Sequence, residues 1–360
     1  MTRTIPLLDS RDEVSQIDKS NVLGSIEMQA SQIQQIWEEA QKIEVDAHFQ
    51  EIQNVVVAGM GGSILGTHVI QSIFKQELKV PVIIAPDYTV PHFVNEKTLV
   101  IASSYSGGTE ETLSAVADAQ KKGAKIAGIT SGGKLAEFLH QNNYPALIFD
   151  PIYNPCNQPR MALGYSIFGQ MALFARAGVI SIGEKEYTDA LNMIAQVHLE
   201  CGINVPQDKN PAKLLAFEMK ELIPIIVAAE HLEGNAHVLA NQINENSKTY
   251  SEFRIIPEMN HHLMEGLKFP ESNEHNLFFF LVESDLYNKS VSRRFGLTQE
   301  VLEKHNIRVR THQLTGKTKF EQSIEMMMQG AYTNYYLALL NNVDPAPIET
   351  VDWFKDQLKK

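Results

Sequence analysis

Two short stretches of glycine and hydroxyl-bearing residues have the composition of an anion site. The first is Gly59-Met60-Gly61-Gly62-Ser63, which lies between an apolar run and an apolar helical segment. The second is Ser103-Ser104-Tyr105-Ser106-Gly107-Gly108-Thr109, which precedes a helix beginning near Glu110. Backbone N–H groups at the start of a helix attract anions, and hydroxyl groups add donors for phosphate oxygens. Both loops therefore favour a phosphomonoester, with an ordinary strand-to-helix turn as the alternative.

Neither loop has the pattern of a nucleotide site. The first lacks the spaced third glycine of the dinucleotide fingerprint, and no suitably placed acidic residue follows the next strand. The second lacks the lysine that a nucleoside triphosphate loop carries. A small phosphorylated metabolite is the ligand class that remains.

One carboxylate and two histidines in the second half could transfer protons. Glu245 lies among amides in Asn244-Glu245-Asn246-Ser247-Lys248, where it could act as a general base or be a surface or capping glutamate. His261 and His262 follow the predicted strand 253–256, and α/β proteins place ligand chemistry at the carboxyl ends of strands. A zinc site is the rival explanation. Adjacent histidines point in different directions and no third ligand is obvious, so we predict no metal.

The composition is that of a folded, acidic protein. Of the 360 residues, 44% are hydrophobic and 21% are charged, close to globular averages. The formal net charge of -12 opposes nonspecific binding to nucleic acids or anionic membranes. Two cysteines, Cys156 and Cys201, are too few for a disulfide framework. Because no run resembles a signal peptide or a membrane span, we expect a cytoplasmic protein without nucleic-acid or membrane partners.

The elements that must position these residues alternate between strands and helices. Apolar runs predict strands in the first half at 54–59, 82–85, 99–102, 126–129 and 146–149. Further runs predict strands in the second half at 223–228, 253–256, 277–282 and 307–314. Helix-length stretches separate them, including single predicted helices over 21–43 and 320–341. The alternation is typical of an α/β fold with mainly parallel sheets flanked by helices, an αβα sandwich.

The length exceeds that of one ordinary domain, so we place a boundary after the apolar helix 162–177. Three segments result: a helical segment 1–50 that packs on the first domain, a first α/β domain 51–182 and a second α/β domain 183–360 with a terminal helix. The two anion loops belong to the first domain, and Glu245 and the histidines belong to the second.

In chain order, these motifs resemble those of one family. The set comprises the two loops, Gln158-Pro159-Arg160, the segment around Glu245, Pro257-Glu258-Met259-Asn260-His261, and Val343-Asp344-Pro345 leading to Lys355. Over nearly the whole chain they are similar to the bifunctional phosphoglucose/phosphomannose isomerases, which are built from two sugar isomerase (SIS) domains. The resemblance implies that 51–182 is the phosphate-binding SIS domain and that 183–360 is the second SIS domain.

The resemblance also implies roles for individual residues. The substrate phosphate would be bound by Gly61, Gly62, Ser63, Ser104, Ser106 and Thr109. Glu245 would move the proton between C1 and C2, and Arg160 would stabilise the enediolate charge. His261, contributed by the neighbouring subunit of a homodimer, would assist ring opening. Lys355 matches a lysine near the ring oxygen or O1, while His262 matches no defined role.

The implied activity is the interconversion of glucose 6-phosphate, and of mannose 6-phosphate, with fructose 6-phosphate through a cis-enediolate. The chemistry moves protons within one hexose 6-phosphate substrate, and we expect no cofactor. One alternative is a noncatalytic sugar-phosphate sensor, which needs only the hydroxyl loop. Another is a different SIS enzyme, such as an amino-sugar isomerase or an etherase, although the motifs around Glu245 and His261 argue against it.

Overall fold

Helices and strands alternate along the described chain, which in this computed structural model comprises residues 8–43, 49, 51–358 and 360. In the first half they are α1 (Arg11–Ser15), α2 (Val22–Glu27), α3 (Gln29–Ala40), β1 (Asn54–Gly59), α4 (Leu65–Ile73), β2 (Val82–Ala85), β3 (Thr98–Ser103), α5 (Glu110–Lys121), β4 (Lys125–Thr130), α6 (Gly133–Gln141), β5 (Ala146–Ile148) and α7 (Leu163–Arg176). In the second half they are α8 (Glu184–Cys201), α9 (Pro211–Met219), β6 (Ile223–Ala229), α10 (Glu233–Ser247), β7 (Glu252–Ile256), α11 (Asn273–Asn276), β8 (Leu277–Glu283), α12 (Lys289–Lys304), β9 (Arg308–Gln313), α13 (Lys319–Leu340) and α14 (Glu349–Leu358).

The chain divides into two units, each built on one parallel sheet. Glu27–Leu191 forms the five-stranded unit, with strand order β2-β1-β3-β4-β5. The described part of Met1–Ile26 joins Asn192–Lys360 in the four-stranded unit, with strand order β7-β6-β8-β9. The predicted α/β class, with two parallel sheets flanked by helices, is confirmed.

The unit boundaries differ from the three segments proposed from the sequence. The division falls within α8, between Leu191 and Asn192, rather than at residues 182 and 183. The described residues 8–26 group with the second half of the chain, whereas the sequence pattern predicted a helical segment 1–50 that packs on the first domain; residues 1–7, 44–48 and 50 of that segment lie outside the described residues. Within the five-stranded unit, α3 does pack on α7.

The single helix predicted over 21–43 is wrong, because two helices meet at Met28. The helix α2 starts where Asp18 accepts the N–H groups of Val22 and Leu23, at 2.8 and 2.9 Å. The backbone of Met28 then departs from helical geometry, with ψ of 10°. Apolar residues keep their helical spacing across this break, so the periodicity could not reveal it.

The core of the five-stranded unit lies between its sheet and the covering helices. Valine, isoleucine and alanine dominate the strands because both faces of a parallel sheet are covered. On one face, strand residues pack against α5 and α6. Near the other, α7 approaches β4 so closely that a Cβ atom on Gly169 would lie 2.3 Å from a methyl group of Ile129.

The core of the four-stranded unit is organised around α13. Nearly all of this helix is buried, including Tyr332, Tyr335 and Tyr336, and it packs against α9 and α10. No helix of the described residues is both long and apolar enough to cross a membrane.

Candidate active site

Both anion loops lie where the strand order of the five-stranded sheet reverses. The strand β1 has β2 on one side and β3 on the other, so the carboxyl ends of β1 and β3 are neighbours. Open α/β sheets bind ligands at such a reversal. The Gly59–Ser63 loop follows β1 and the Ser103–Thr109 loop follows β3, as the sequence predicted.

Ser63 joins the two loops. Its hydroxyl accepts the backbone N–H of Tyr105 at 2.9 Å, and its carbonyl oxygen accepts the Ser103 hydroxyl at 2.7 Å. Gly59 makes the junction possible, because a Cβ atom there would lie 2.6 Å from the Ser103 carbonyl oxygen. The two predicted phosphate loops therefore form one hydrogen-bonded surface.

Gly62 brings Arg160 to the same surface. A Cβ atom on Gly62 would lie 2.7 Å from the Arg160 backbone nitrogen and 2.9 Å from the Pro159 carbonyl carbon. Arg160 lies in the 3₁₀ turn Pro159–Met161 and is 2% exposed. Its guanidinium donates to Oε1 of Gln158 at 2.8 Å. A close backbone contact, which only glycine permits, thus places the predicted arginine beside the first loop.

The hydroxyl-bearing residues of the Ser103–Thr109 loop differ in how deeply they are buried. Ser104 is 1% exposed and its hydroxyl bonds that of Thr109 at 2.9 Å. Thr109 is the N-cap residue of α5, yet its side chain does not cap the helix. Ser106 is exposed and accepts the Gly108 N–H at 3.3 Å. The loop therefore presents hydroxyl groups at the amino terminus of a 12-residue helix, a favourable place for an anion.

Glycines in this loop and in a neighbouring turn support this arrangement. Gly107 has φ of 64°, and a Cβ atom on it would lie 1.8 Å from the Gly132 carbonyl oxygen. Gly133 is also tightly packed, with 2.5 Å from its Cβ position to the Ser106 carbonyl oxygen. Both contacts exclude any side chain. The Gly132-Gly133 turn before α6 therefore fixes the path of the hydroxyl loop.

Buried polar side chains beneath the loops were not predicted from the sequence. Gln170 of α7 is fully buried and donates to the Ser63 carbonyl oxygen at 2.7 Å and to the Ser103 hydroxyl at 3.1 Å. Its own amide oxygen accepts the Thr67 hydroxyl at 2.6 Å. A glutamine inside a mainly apolar helix was the available signal. Buried amides of this kind are kept satisfied, so they hold their partners in place.

A second chain of hydrogen bonds connects the hydroxyl loop to Arg160. Asn154 Nδ2 donates to the Tyr105 hydroxyl at 2.9 Å and to the Gln158 carbonyl oxygen at 3.1 Å. Burial raises the pKa of Tyr105 to about 12, so its hydroxyl stays protonated near neutral pH. The Ser103–Thr109 loop is therefore linked to Arg160 through Tyr105, Asn154 and Gln158, none of which was predicted as a site residue.

Glu245 lies in the four-stranded unit, two residues before the end of α10, and is half-buried. Its neighbours Asn246 and Ser247 are fully buried and both donate to Asn334 of α13, at 2.7 Å to its side-chain oxygen and 2.7 Å to its carbonyl oxygen. Asn244 donates to the Ser251 carbonyl oxygen at 2.7 Å. The residues around Glu245 thus hold the helix end in place.

The two histidines lie in and after the 3₁₀ turn Glu258–His261 that follows β7. Both are exposed. His262 Nε2 lies 2.9 Å from a carboxylate oxygen of Glu258. Exposure leaves His261 accessible to a ligand or another chain.

Lys355 lies in α14, a helix with no buried residue. Its neighbours Trp353 and Phe354 are 62% and 57% exposed. Glu245, His261 and Lys355 belong to the four-stranded unit, and the Gly59–Ser63 loop, the Ser103–Thr109 loop and Arg160 belong to the five-stranded unit. Among the residues that the structure describes, no group of three His, Cys, Asp or Glu side chains is arranged to hold a metal ion.

Several known proteins are similar to this chain over most of its length. The family model of the bacterial phospho-glucose isomerase C-terminal SIS domain matches residues 208–358. A bifunctional phosphoglucose/phosphomannose isomerase from Caldicellulosiruptor bescii is 35% identical over 335 residues, covering 91% of this chain and 96% of that protein. A protein of the same name from Aquifex aeolicus is 28% identical over 309 residues, covering 86% of this chain and 91% of that protein.

The fold also has relatives among solved structures. A hypothetical protein from Thermus thermophilus superposes with a TM-score of 0.75 at 17% identity, covering 98% of this chain and 93% of that chain. At that identity the likeness concerns the fold alone.

Proposed function

Because the chain belongs to the bifunctional phosphoglucose/phosphomannose isomerase family, we propose that it interconverts fructose 6-phosphate with glucose 6-phosphate and with mannose 6-phosphate. The protein is an isomerase, and its substrates are sugar phosphates. The near-full-length similarity to a relative of that name carries the proposal. The joined hydroxyl loops support it, since they suit the anionic end of such a substrate.

The phosphate end of the substrate binds at the five-stranded unit. The hydroxyl groups of Ser63, Ser104, Ser106 and Thr109 bind phosphate oxygens, with backbone N–H groups of Gly61 and Gly62 and the start of α5 beside them. Ser104 holds Thr109 in position, which the 2.9 Å contact between their hydroxyls supports. Charge-assisted hydrogen bonds of this kind are stronger than neutral ones, so they can anchor the substrate.

Proton transfer occurs at the carbons at the other end of the sugar. The Glu245 carboxylate removes the proton from C2 of the open-chain aldose, and the same carboxyl group returns it to C1 to give the ketose. Arg160 stabilises the negative charge that develops on an oxygen of the enediolate, an electrostatic contribution that is often large in catalysis. Glucose and mannose 6-phosphates differ only at C2, so both give the same enediol.

The remaining groups serve ring opening. His261 exchanges a proton with the ring oxygen, and Lys355 lies near that oxygen or O1. We place the working protein in a homodimer in which His261 enters the neighbouring subunit's site. The exposure of His261 on a surface turn supports this placement.

A substrate panel tests the proposed activity. Purified protein treated with a chelator should convert fructose 6-phosphate into both glucose and mannose 6-phosphates, with glucosamine 6-phosphate unchanged. Product formation can be followed by NMR of the sugar carbons. Tight binding of hexose phosphates without turnover would instead indicate a sugar-phosphate sensor, and turnover restricted to glucosamine 6-phosphate would indicate an amino-sugar enzyme.

Subunit complementation tests the shared site. The variants Glu245→Gln and His261→Ala should each be inactive alone. If His261 acts across subunits, mixing the two under exchange conditions should restore activity, because one hybrid site receives both native residues. Mixed dimers verified by mass spectrometry that stay inactive would exclude the shared site.

A further inference from the structure

The helix that carries Glu245 ends at a capping position that glycine usually occupies in proteins. Lys248 follows the last helical residue of α10 with left-handed backbone, φ of 53°. A side chain is strained there, and glycine is the usual choice. Here the lysine turns back on the helix. Its Nζ donates to the carbonyl oxygens of Glu245 at 2.8 Å and Asn246 at 3.3 Å, groups that a helix end leaves without an intrahelical donor.

The same ammonium reaches a segment distant in sequence. Its Nζ also donates to the carbonyl oxygen of Pro345 at 3.1 Å. Pro345 is buried, and the chain continues from it to α14, which carries Lys355. One side chain thus bonds both the turn that bears Glu245 and the segment that leads to Lys355.

Asn341 also holds the carboxyl end of α10 in place. Its Nδ2 donates to the carbonyl oxygen of Ser247 at 3.0 Å and to the hydroxyl of Thr249 at 2.9 Å. Asn341 is the C-cap residue of α13, the buried helix at the centre of the unit. The end of α10 is therefore held on both sides of Lys248.

We propose that Lys248 is a positioning residue that holds Glu245 and the segment bearing Lys355 in one fixed arrangement. The inference rests on the proposed function, which supplies the roles of Glu245 and Lys355. The residue type suits the task because an ammonium has three donors, and three carbonyl oxygens accept here. Its positive charge also suits a helix carboxyl end.

Two substitutions separate this role from simple helix capping. Lys248→Met removes the ammonium and keeps most of the side-chain volume. Lys248→Gly also removes it but relieves the left-handed strain, so its fold should be retained. Both should lower kcat for fructose 6-phosphate by about tenfold or more with KM within about twofold, because small misplacements of a reacting group cost much of the rate. Lys248→Arg should recover part of the loss.

Lys304→Met is the matched control, because it removes a lysine from the last turn of another helix, α12. It should leave kcat unchanged. Near-normal kcat in Lys248→Gly would overturn the proposal, since the residue would then be only a helix cap.

A spectroscopic readout makes the inference independent of turnover. The sequence has two tryptophans, Trp37 and Trp353, so Trp37→Phe leaves Trp353 of α14 as the reporter. In that background, Lys248→Met and Lys248→Gly should lower the fluorescence anisotropy of Trp353, and Lys304→Met should not. Unchanged anisotropy of Trp353 would show that Lys248 does not hold α14 in place. If the protein without a Lys248 substitution has no isomerase activity, the proposed function would be refuted. A lower anisotropy of Trp353 in the Lys248 variants would still support the coupling between Lys248 and α14.

Discussion

A substitution at Thr109 tests whether its hydroxyl group binds the substrate phosphate. Its hydroxyl contacts Ser104 instead of capping α5. Thr109→Val should raise KM for fructose 6-phosphate by about tenfold, because a hydrogen bond to a charged group is lost. Steady-state kinetics measures the change.

Thr112, one turn later on α5, supplies the control. It is 1% exposed, and its hydroxyl has no hydrogen-bond partner within the described part of the chain. Thr112→Val should therefore leave KM unchanged and retain stability. Equal KM shifts in the two variants would mean that Thr109 does not contact the phosphate.

Sequence composition pointed to the residues that could touch a ligand but missed those that hold them. Ser104, Ser106 and Thr109 were recognisable because hydroxyls cluster between a strand and a helix. Gln170 and Asn154 were not, because their partners are far along the chain and only folding brings them together. A buried amide acts through its contacts, and a one-dimensional pattern does not contain contacts.

At the scale of elements, the path of the hydroxyl loop depends on Gly107. Gly107→Ala should displace the loop, because the new methyl group would overlap the Gly132 carbonyl oxygen. We expect a loss of about 2 kcal/mol or more in unfolding free energy, together with weaker hexose-phosphate binding. Chemical denaturation and calorimetry measure the two effects.

Gly123 provides the matched substitution. It also has positive φ, 74°, but nothing lies within 4 Å of its Cβ position. Gly123→Ala should therefore cost only about 1 kcal/mol of backbone strain and leave binding intact. Similar binding losses in both variants would show that the Gly132 carbonyl oxygen does not fix the path of the Ser103–Thr109 loop.

Most elements were predictable because apolar runs and their bounding turns are local features. The strand ends carrying the two loops and the long helix α13 lie within a few residues of their predicted positions. The break at Met28 was missed because it interrupts the backbone and not the apolar spacing. The cap at Lys248 was missed because lysine does not mark a helix end as glycine does.

For the whole molecule, buried histidines predict sensitivity to acid. Burial lowers the pKa of His231 to about 4, and its Nε2 lies 2.9 Å from the amide oxygen of Gln322. Burial also lowers the pKa of His237 and His312. The unfolded chain takes up protons below about pH 6.5, whereas folded His231 does so only near pH 4. Stability should therefore fall as pH decreases through this interval, by roughly 3 kcal/mol from His231 alone.

Denaturant unfolding at pH 7 and pH 5 tests this dependence. His231→Gln should flatten the stability difference between the two pH values, because Gln does not titrate. His275→Gln, at an exposed position, should not. An unchanged pH dependence in His231→Gln would contradict the assignment.

The grouping of residues up to Ile26 with the second half was beyond local sequence patterns. Lys213 is fully buried and donates to a carboxylate oxygen of Asp9 at 2.8 Å, across 204 residues of sequence. Such long-range contacts decide which unit a terminal segment joins, and helical periodicity says only that the segment needs some partner surface.

The turnover of fructose 6-phosphate by Glu245→Gln tests whether this carboxylate moves the proton between C1 and C2. Glu233→Gln, at the other end of α10 and also half-buried, is the control with the same chemical change. We predict that Glu245→Gln loses about a hundredfold or more of kcat while still binding the substrate, and that Glu233→Gln keeps its rate. Undiminished turnover by Glu245→Gln would contradict the proposal that this carboxylate moves the proton.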